Sequence, residues 1–298
     1  MSDHNRRHSR DEKLTRGFDK TRAQGVEIGA LNNPMISPST GRCKYVDYTD
    51  TAGLREQHKG LPDRAAGIVN VDYVWRGSGS LADVVGGAQQ FDYAIASHVI
   101  EHVPNTLGWF RGILEALKPG AVFNLAIPDK RYTFDVNCQT STIGQVIEAD
   151  IYNFSVPTVR QMFDHCVHIA KIDPGDIWKR PIDPSTIPPF NGDFALWLAE
   201  AQAKQIAANE AYFDSHCWIY TPTSFLHILR QASLLSRFGY EVVDFSNTEP
   251  DQFEFFISLR RPLEGLSAEE LKNRQVSEID AHLRSLEVER WRASLAAE

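Results

Sequence analysis

The stretch Phe91-Asp-Tyr-Ala-Ile-Ala-Ser-His-Val-Ile-Glu-His-Val-Pro104 joins a short apolar run to a polar end. Residues 91–97 are rich in apolar and aromatic side chains, which is typical of a strand buried inside a sheet. Ser97 and His98 stand where this strand ends, and Glu101 and His102 follow them. The stretch therefore predicts a buried strand whose carboxyl end carries chemically active side chains.

Similar apolar runs lie on both sides of this stretch and alternate with helical patterns, as in an α/β sheet. The other predicted strands are residues 25–29, 44–47, 68–72, 121–127, 240–245 and 253–259. The last two are close enough in sequence to pair antiparallel. The sequence therefore predicts a Rossmann-like, doubly wound seven-stranded sheet, mostly parallel with an antiparallel last strand.

Residues 106–117 have the spacing of an amphipathic helix, with Leu107, Phe110 and Ile113 on one face. The following Lys118-Pro-Gly120 is expected to end this helix, because proline cannot continue a helix and glycine accepts the turn.

The alternation of strand and helix patterns changes along the chain and divides it into four segments. Residues 1–24, which include Arg6 and Arg7, read as a solvated N-terminal arm or a short capping helix. Residues 25–129 and 221–261 form the sheet. Residues 130–220 form a mainly helical insertion, whose proline-rich part from Pro174 to Pro189 predicts an ordered, non-helical loop.

Residues 262–298 predict a helical tail with an apolar stripe that needs a partner. The stripe consists of Leu266, Leu271, Val276, Ile279, Leu283, Leu286 and Trp291. This tail packs either on its own domain or between the subunits of a homodimer.

The composition excludes several classes of function. The formal charge of −8 argues against a nucleic-acid partner. No apolar run reaches the length of a membrane span, and the polar N-terminus does not resemble an export signal. Four scattered cysteines without a CxxC pair indicate reduced thiols. We therefore expect a cytoplasmic protein that acts on a small molecule.

The ends of parallel strands meet at one edge of such a sheet, where ligands bind. Gly29 lets a ligand approach the backbone after the first strand, and Asp47 follows the second strand at the distance typical of a ribose-binding carboxylate. Asp72 follows the third strand, where an acid can accept from an adenine amino group. Each acid taken alone is equally explained as a turn former or a helix cap.

At these residues the chain resembles the class I S-adenosylmethionine-dependent methyltransferases. The matching stretches are Val26-Glu-Ile-Gly29, Tyr45-Val-Asp47, Val71-Asp72, residues 91–104 and Leu114-Glu-Ala-Leu-Lys-Pro-Gly120. The resemblance implies that the region around Gly29 holds the methionine part of the cofactor, Asp47 the ribose, and Asp72 with Tyr73 the adenine. The expected cofactor residues are Glu27, Gly29, Ala30, Asn33, Asp47, Tyr48, Asp72, Tyr73, Ser97, His98 and His102.

The chain departs from that family in its first loop. Gly29 is followed by Ala30-Leu-Asn-Asn-Pro34 instead of alternating glycines, and the prolines make the usual first helix short or absent. The missing glycines also argue against a nicotinamide-dependent dehydrogenase, because that site requires close approach to a pyrophosphate.

Residues for the acceptor are expected in the insertion. Three stretches near 129–133, 163–168 and 214–218 together resemble bacterial methyltransferases of glycan biosynthesis, which implies a sugar hydroxyl as acceptor. The aromatic residues Trp178, Trp197, Tyr212, Trp218 and Tyr220 are candidates for stacking on a sugar face, although aromatic side chains also fill cores. The alternatives are N- or C-methylation of a small natural-product intermediate, and a non-catalytic partner with a cofactor fold.

Methyl transfer to a hydroxyl requires a base or a metal ion. Either His165 or His216 is expected to be the general base, with Asp129 delivered to the same edge by the fifth strand. The alternative is that both histidines are hydrogen-bonded structural residues. Asp129, Asp164, His165, Asp214 and His216 are candidate ligands of a divalent ion such as Mg²⁺.

Overall fold

Seven strands form one sheet in a computed structural model, which describes residues 8–179, 182–209 and 211–296. They are β1 (Gln24–Ile28), β2 (Arg42–Asp47), β3 (Tyr73–Val74), β4 (Phe91–Ser97), β5 (Leu117–Pro128), β6 (Glu241–Ser246) and β7 (Glu254–Arg260). Their spatial order is β3-β2-β1-β4-β5-β7-β6. The strands β1 to β5 run parallel, and β7 is antiparallel to both β5 and β6. The predicted fold class is confirmed.

Helices lie around this sheet and fill the insertion between β5 and β6. They are α1 (Arg10–Leu14), α2 (Thr51–Gln57), α3 (Pro62–Gly67), α4 (Leu81–Val85), α5 (Thr106–Ala116), α6 (Ile143–Ile151), α7 (Val159–His168), α8 (Pro174–Lys179), α9 (Ala195–Asn209), α10 (Pro222–Leu234) and α11 (Ala268–Ala296). The largest apolar core lies where α5 meets the sheet and α10, and it includes the fully buried rings of Trp109, Phe110, Phe123 and Tyr240.

The third strand is shorter and later than predicted: it comprises only Tyr73 and Val74 instead of residues 68–72. The Asp72 carboxylate accepts from the Tyr45 backbone N–H and from Lys44 Nζ. Val69 N–H donates to Leu31 O in the loop after β1. These hydrogen bonds take the place of the strand-to-strand pairs expected for residues 68–72, so β3 begins only at Tyr73.

The turn expected at Lys118-Pro-Gly120 belongs to a strand instead. The helix α5 ends at Ala116, and Leu117 already pairs with Phe91 of β4. Proline favours extended backbone in the residue before it, so Lys118 suits the start of a strand. Gly120 takes the left-handed backbone (φ 81°).

The N-terminal segment is partly docked on the sheet instead of solvated. Leu14 of α1 is completely buried, in a cluster that includes Tyr93 and Val122. The Asn124 amide donates to the carbonyl oxygens of Leu14 and Arg16. The predicted arm residues 1–7, including Arg6 and Arg7, lie outside the described residues.

The insertion is mainly helical, with α7 packed against α9. The proline-rich part is not wholly non-helical, because Pro174 begins the helix α8. Proline is well suited to the first turn of a helix, where its missing N–H costs nothing. The Asp173 carboxylate accepts the N–H of Gly175 at this end.

The tail helix α11 packs on its own domain. Ile279, Leu283 and Leu286 join the main core, and the buried Gln275 amide donates to the carbonyl oxygens of Phe238 and Tyr240. Beyond Leu286 the helix is exposed. Neither this helix nor any other described one combines the length and the apolar character of a membrane span.

We expect Ile279→Ala to lower the free energy of unfolding by about 2–5 kcal/mol, because Ile279 is fully buried in the core. Denaturant unfolding followed by circular dichroism measures the change. Leu295→Ala, in the exposed end of the same helix, is the matched control and should stay within about 0.5 kcal/mol of the parent. Equal effects in the two variants would mean that the tail does not pack on its own domain.

Candidate active site

A cavity of about 920 Å³ opens at the carboxyl edge of β1, β2 and β4. Its walls come from the loop after β1, the second half of α2, the turn after β4 and both ends of the insertion. This is the edge at which ligands bind in open parallel sheets, because the strand ends deliver polar groups there.

The loop after β1 is held by Glu27, whose buried carboxylate accepts the backbone N–H groups of Met35 and Ile36 at 2.8 and 3.2 Å. Burial raises the pKa of Glu27 to about 7, against the effect of these two donors. Gly29 takes the left-handed backbone (φ 70°), and a Cβ there would lie 2.5 Å from Val99. The loop therefore turns tightly against the end of β4 without a glycine-rich sequence.

Asp47 ends β2 inside the cavity and is 7 % exposed. Its Oδ1 accepts the N–H of Tyr48 at 2.8 Å, and no described Lys or Arg pairs with it. Burial raises the pKa of Asp47 to about 6. The remaining acceptor capacity of this carboxylate suits a pair of hydroxyl donors such as a ribose diol.

Nine of the eleven expected cofactor residues line the cavity: Glu27, Gly29, Ala30, Asn33, Asp47, Tyr48, Ser97, His98 and His102. Asp72 and Tyr73 are absent from its lining. The Asp72 carboxylate is instead engaged by Lys44 and Tyr45. The cavity continues past Asp47 along α2, so Gln57 and His58 replace Asp72 as the polar groups in that direction.

Opposite the loop after β1 lie five polar residues that we call the histidine–carboxylate cluster: Glu101, His102, Asp135, Asp214 and His216. The Nδ1 of His216 lies 2.7 Å from Oδ2 of Asp135, and both side chains are at least nine-tenths buried. The Nδ1 of His102 lies 2.8 Å from Oδ1 of Asp214. Burial lowers the pKa of His102, but Asp214 and Glu101 outweigh it and raise that pKa to about 9.

Glu101 is the most unusual member of the cluster. It is 1 % exposed, and neither carboxylate oxygen has a hydrogen-bond partner among the described residues. Its Oε1 lies 3.7 Å from His98 Nδ1 and 3.8 Å from His102 Nε2. A buried carboxylate without hydrogen bonds is unfavourable in free energy, so a positively charged or hydrogen-bond-donating group bound beside Glu101 would stabilise it.

His165 lies beside the cluster but not in the cavity. Its Nδ1 accepts the backbone N–H of His216 at 3.2 Å, and burial lowers its pKa to about 4. A neutral imidazole that accepts at Nδ1 carries its proton on Nε2 and cannot accept a second one there. In this arrangement His165 is a hydrogen-bond donor, and the expectation that it is a general base does not fit the geometry.

Asp129 does not reach the cavity either. It is completely buried, pairs with Arg131 through two guanidinium nitrogens, and accepts from the Thr248 hydroxyl. Its lone pairs are used within the fold, so it orders the chain after β5. Asp164, a candidate metal ligand, is exposed and pairs with Arg160.

Two residues of this region went unrecognised in the sequence. Arg10 of α1 lines the cavity, with its Nε 2.8 Å from Glu254 Oε1. The Ser9 and Glu12 capping box marks that helix and could have located it. Asp135 lies in a 3-10 helix of four residues (Phe134–Asn137), which is too short for a periodicity that would distinguish it from a turn former.

A sequence profile described as a methyltransferase domain matches residues 3–243. The chain belongs to this methyltransferase family. The resemblance to class I S-adenosylmethionine-dependent methyltransferases is thereby confirmed, whereas the sugar acceptor stays a prediction. No functionally curated protein matches the chain.

Solved structures of S-adenosylmethionine-dependent methyltransferases are similar to this chain at low identity. That from Methanosarcina mazei has 14 % identity and a TM-score of 0.41, covering 83 % of this chain and 95 % of that one. That from Mesorhizobium loti has 13 % identity and a TM-score of 0.40, covering 81 % and 92 %. That from Aquifex aeolicus has 11 % identity and a TM-score of 0.40, covering 85 % and 89 %.

The residues of the cavity fit S-adenosylmethionine, the methyl donor of this family. Gly29 allows close approach to the backbone, and the side chains of Asn33 and Arg10 can donate to a carboxylate. Asp47 retains an oxygen for ribose hydroxyls. When bound, S-adenosylmethionine supplies a methyl group activated by its sulfonium.

We expect Asp47→Ala to weaken binding of S-adenosylhomocysteine by about 1.5–3 kcal/mol, because a hydrogen bond to a charged group is lost. Isothermal titration calorimetry measures the affinity. Asp72→Ala removes a carboxylate from the neighbouring strand outside the cavity and should leave the affinity unchanged. The opposite ranking of the two variants would return the ribose or adenine contact to Asp72.

Proposed function

We propose that the chain is an O-methyltransferase whose acceptor is a hydroxyl of a sugar or oligosaccharide. The observation that carries the proposal is the buried Asp135–His216 pair, in which His216 lines the same cavity as Gly29 and Asp47 and Asp135 stands behind it. The four cysteines of the chain are free thiols, which is consistent with a protein of the reducing cytoplasm.

The pair supplies what a hydroxyl acceptor needs. A carboxylate only accepts, so Nδ1 of His216 donates to Asp135 and the neutral ring keeps a lone pair on Nε2. Asp135 thereby selects the ring tautomer and holds its orientation. In the ion-free protein this lone pair accepts the proton of the acceptor hydroxyl, whose oxygen forms the new bond to the methyl carbon while the bond from that carbon to sulfur breaks.

A second cavity, of about 470 Å³, supports a separate place for the acceptor. It shares Phe134 and Pro174 with the main cavity, and His165 lies in its wall. Phe190, 61 % exposed, offers a ring for stacking, and Lys171 offers a donor. We assign the acceptor to this side, with residues 130–220 as the lid that excludes water from the transfer.

Four of the five aromatic residues named from the sequence line neither cavity. Trp178 stacks on Tyr132, Trp218 and Tyr220 are buried in the core, and Trp197 is exposed on α9. Tyr212 lines the main cavity. Tyr212 is therefore the member of that group that can contact a sugar, where the acceptor extends from the second cavity into the main one.

We expect His216→Ala to lower kcat about 10²-fold or more while the affinity for S-adenosylhomocysteine changes little. Mass spectrometry of acceptors incubated with S-adenosylmethionine detects the gain of one methyl group, with free sugars, nucleotide sugars and oligosaccharides as the acceptor panel. His168→Ala, an exposed histidine on α7, is the control.

Thermal melting of each variant separates loss of activity from loss of folding. Methylation of amines or of carbon acids, with no methylated hydroxyl in the panel, contradicts the proposal. So does normal turnover in His216→Ala.

A further inference from the structure

We propose that Glu101, His102 and His216 bind a divalent transition-metal ion in the cavity wall. One ligand atom from each residue lies within 4.8 Å of the other two. Two imidazoles and one carboxylate on one side of a cavity are a common ligand set for such ions, which keep their remaining positions open to a substrate.

The first support is the unsatisfied carboxylate of Glu101. This side chain is 1 % exposed, and both of its oxygens lack a hydrogen-bond partner in the described part of the chain. Buried polar groups are almost always hydrogen-bonded, yet the nearest cationic groups, His98 and His102, lie 3.7 and 3.8 Å from Oε1, so the carboxylate can accept a closer positive partner. A bound cation supplies that partner directly.

The second support is the arrangement behind the two histidines. The Nδ1 of His216 is held by Asp135 at 2.7 Å, and the Nδ1 of His102 lies 2.8 Å from Asp214. Histidines that ligate metals almost always place their other ring nitrogen against a carboxylate, carbonyl or water, which fixes the ring and raises its basicity. Both rings therefore direct Nε2 to the ion, and His102, whose pKa is raised to about 9, releases its Nε2 proton when the ion binds.

The negative charges around the site also favour a bound cation. Glu101, Asp135 and Asp214 bring three carboxylates together, and among the described residues no Lys or Arg nitrogen pairs with any of them. A divalent cation offsets much of this negative charge. Because imidazole nitrogen suits zinc, iron, nickel or copper better than magnesium, we infer a transition metal instead of the Mg²⁺ expected from the sequence.

The role of the ion rests on the proposed function. The acceptor hydroxyl would bind at an open position and lose its proton more readily there, and the proton leaves to solvent through the open cavity. The oxygen then forms its bond to the methyl carbon as the carbon–sulfur bond breaks, and the sulfonium becomes a neutral thioether. With the ion bound, Nε2 of His216 is a metal ligand and does not accept the proton itself, so the ion replaces the ring as the group that activates the hydroxyl.

The test is metal binding by the full-length, tag-free chain after removal of metals with a chelator. Calorimetric titration with Mn²⁺, Co²⁺, Zn²⁺ and Mg²⁺ should show one transition-metal ion per chain and weaker binding of Mg²⁺. Bound Co²⁺ should give a visible absorption spectrum. Glu101→Gln should abolish this binding, and Asp135→Asn should weaken it by about 10- to 100-fold.

Asp164→Asn, which changes an exposed carboxylate on α7, is the control and should bind like the parent. If Glu101→Gln does not fold, as judged by circular dichroism, His102→Gln replaces it. The inference is overturned if the parent chain binds no transition metal, or if the variant that folds binds it as tightly as the parent.

These measurements need no acceptor, so they are independent of the proposed function. Metal binding without any methylated hydroxyl would refute the O-methyltransferase proposal alone. Unchanged methyl transfer by the metal-free chain would refute the role of the ion and leave the proposed function standing.

Discussion

The carbonyl oxygen of Glu101 accepts two backbone N–H groups from the far end of the insertion, those of Cys217 at 2.7 Å and Trp218 at 3.1 Å. The indole N–H of the buried Trp218 donates to Val103 O at 2.6 Å in the same turn. These bonds tie the returning chain to the turn after β4. Everything that the insertion contributes to the cavity depends on this attachment, because it sets His216 beside His102.

The polar groups in and around the cavity come from two parts of the chain, the sheet and the insertion. The sheet contributes Gly29, Asp47 and the end of β4, which are suited to the cofactor, whereas the insertion contributes Asp135, Asp214 and His216. Burial makes the carboxylates of Asp135 and Glu101 energetically demanding, since carboxylates removed from water need donors or cations. The ring of His216 pairs with Asp135, whereas neither oxygen of Glu101 has a hydrogen-bond partner among the described residues.

The loop after β1 is shaped for close approach to a ligand in an unusual way. Alternating glycines usually allow such a loop to approach a ligand, but here Glu27 holds the loop through two backbone N–H groups. A single glycine, Gly29, then suffices at the position of positive φ. Arg10 adds a cationic side chain from the N-terminal helix to the same wall. The loop is thus stabilised by a buried acid instead of by its own sequence.

Local patterns in the sequence determined the strands, their parallel order and the polar residues at their ends. Hydrophobic periodicity is a local property, and the ends of parallel strands must meet at one edge, so Gly29, Asp47 and Ser97 could be placed without coordinates. Even there, the third strand was misplaced, because hydrogen bonds of Asp72 to Lys44 and Tyr45 compete with the sheet ladder.

Only the tertiary structure decided which polar side chains face the cavity and which are used within the fold. Asp129 and His216 look equally reactive in the sequence, yet Asp129 forms an ion pair with Arg131 and accepts a hydrogen bond from Thr248. His216 finds Asp135, 81 residues away. Such partnerships depend on how the insertion packs back on the sheet. That packing is set by buried contacts between distant segments, which no local pattern records.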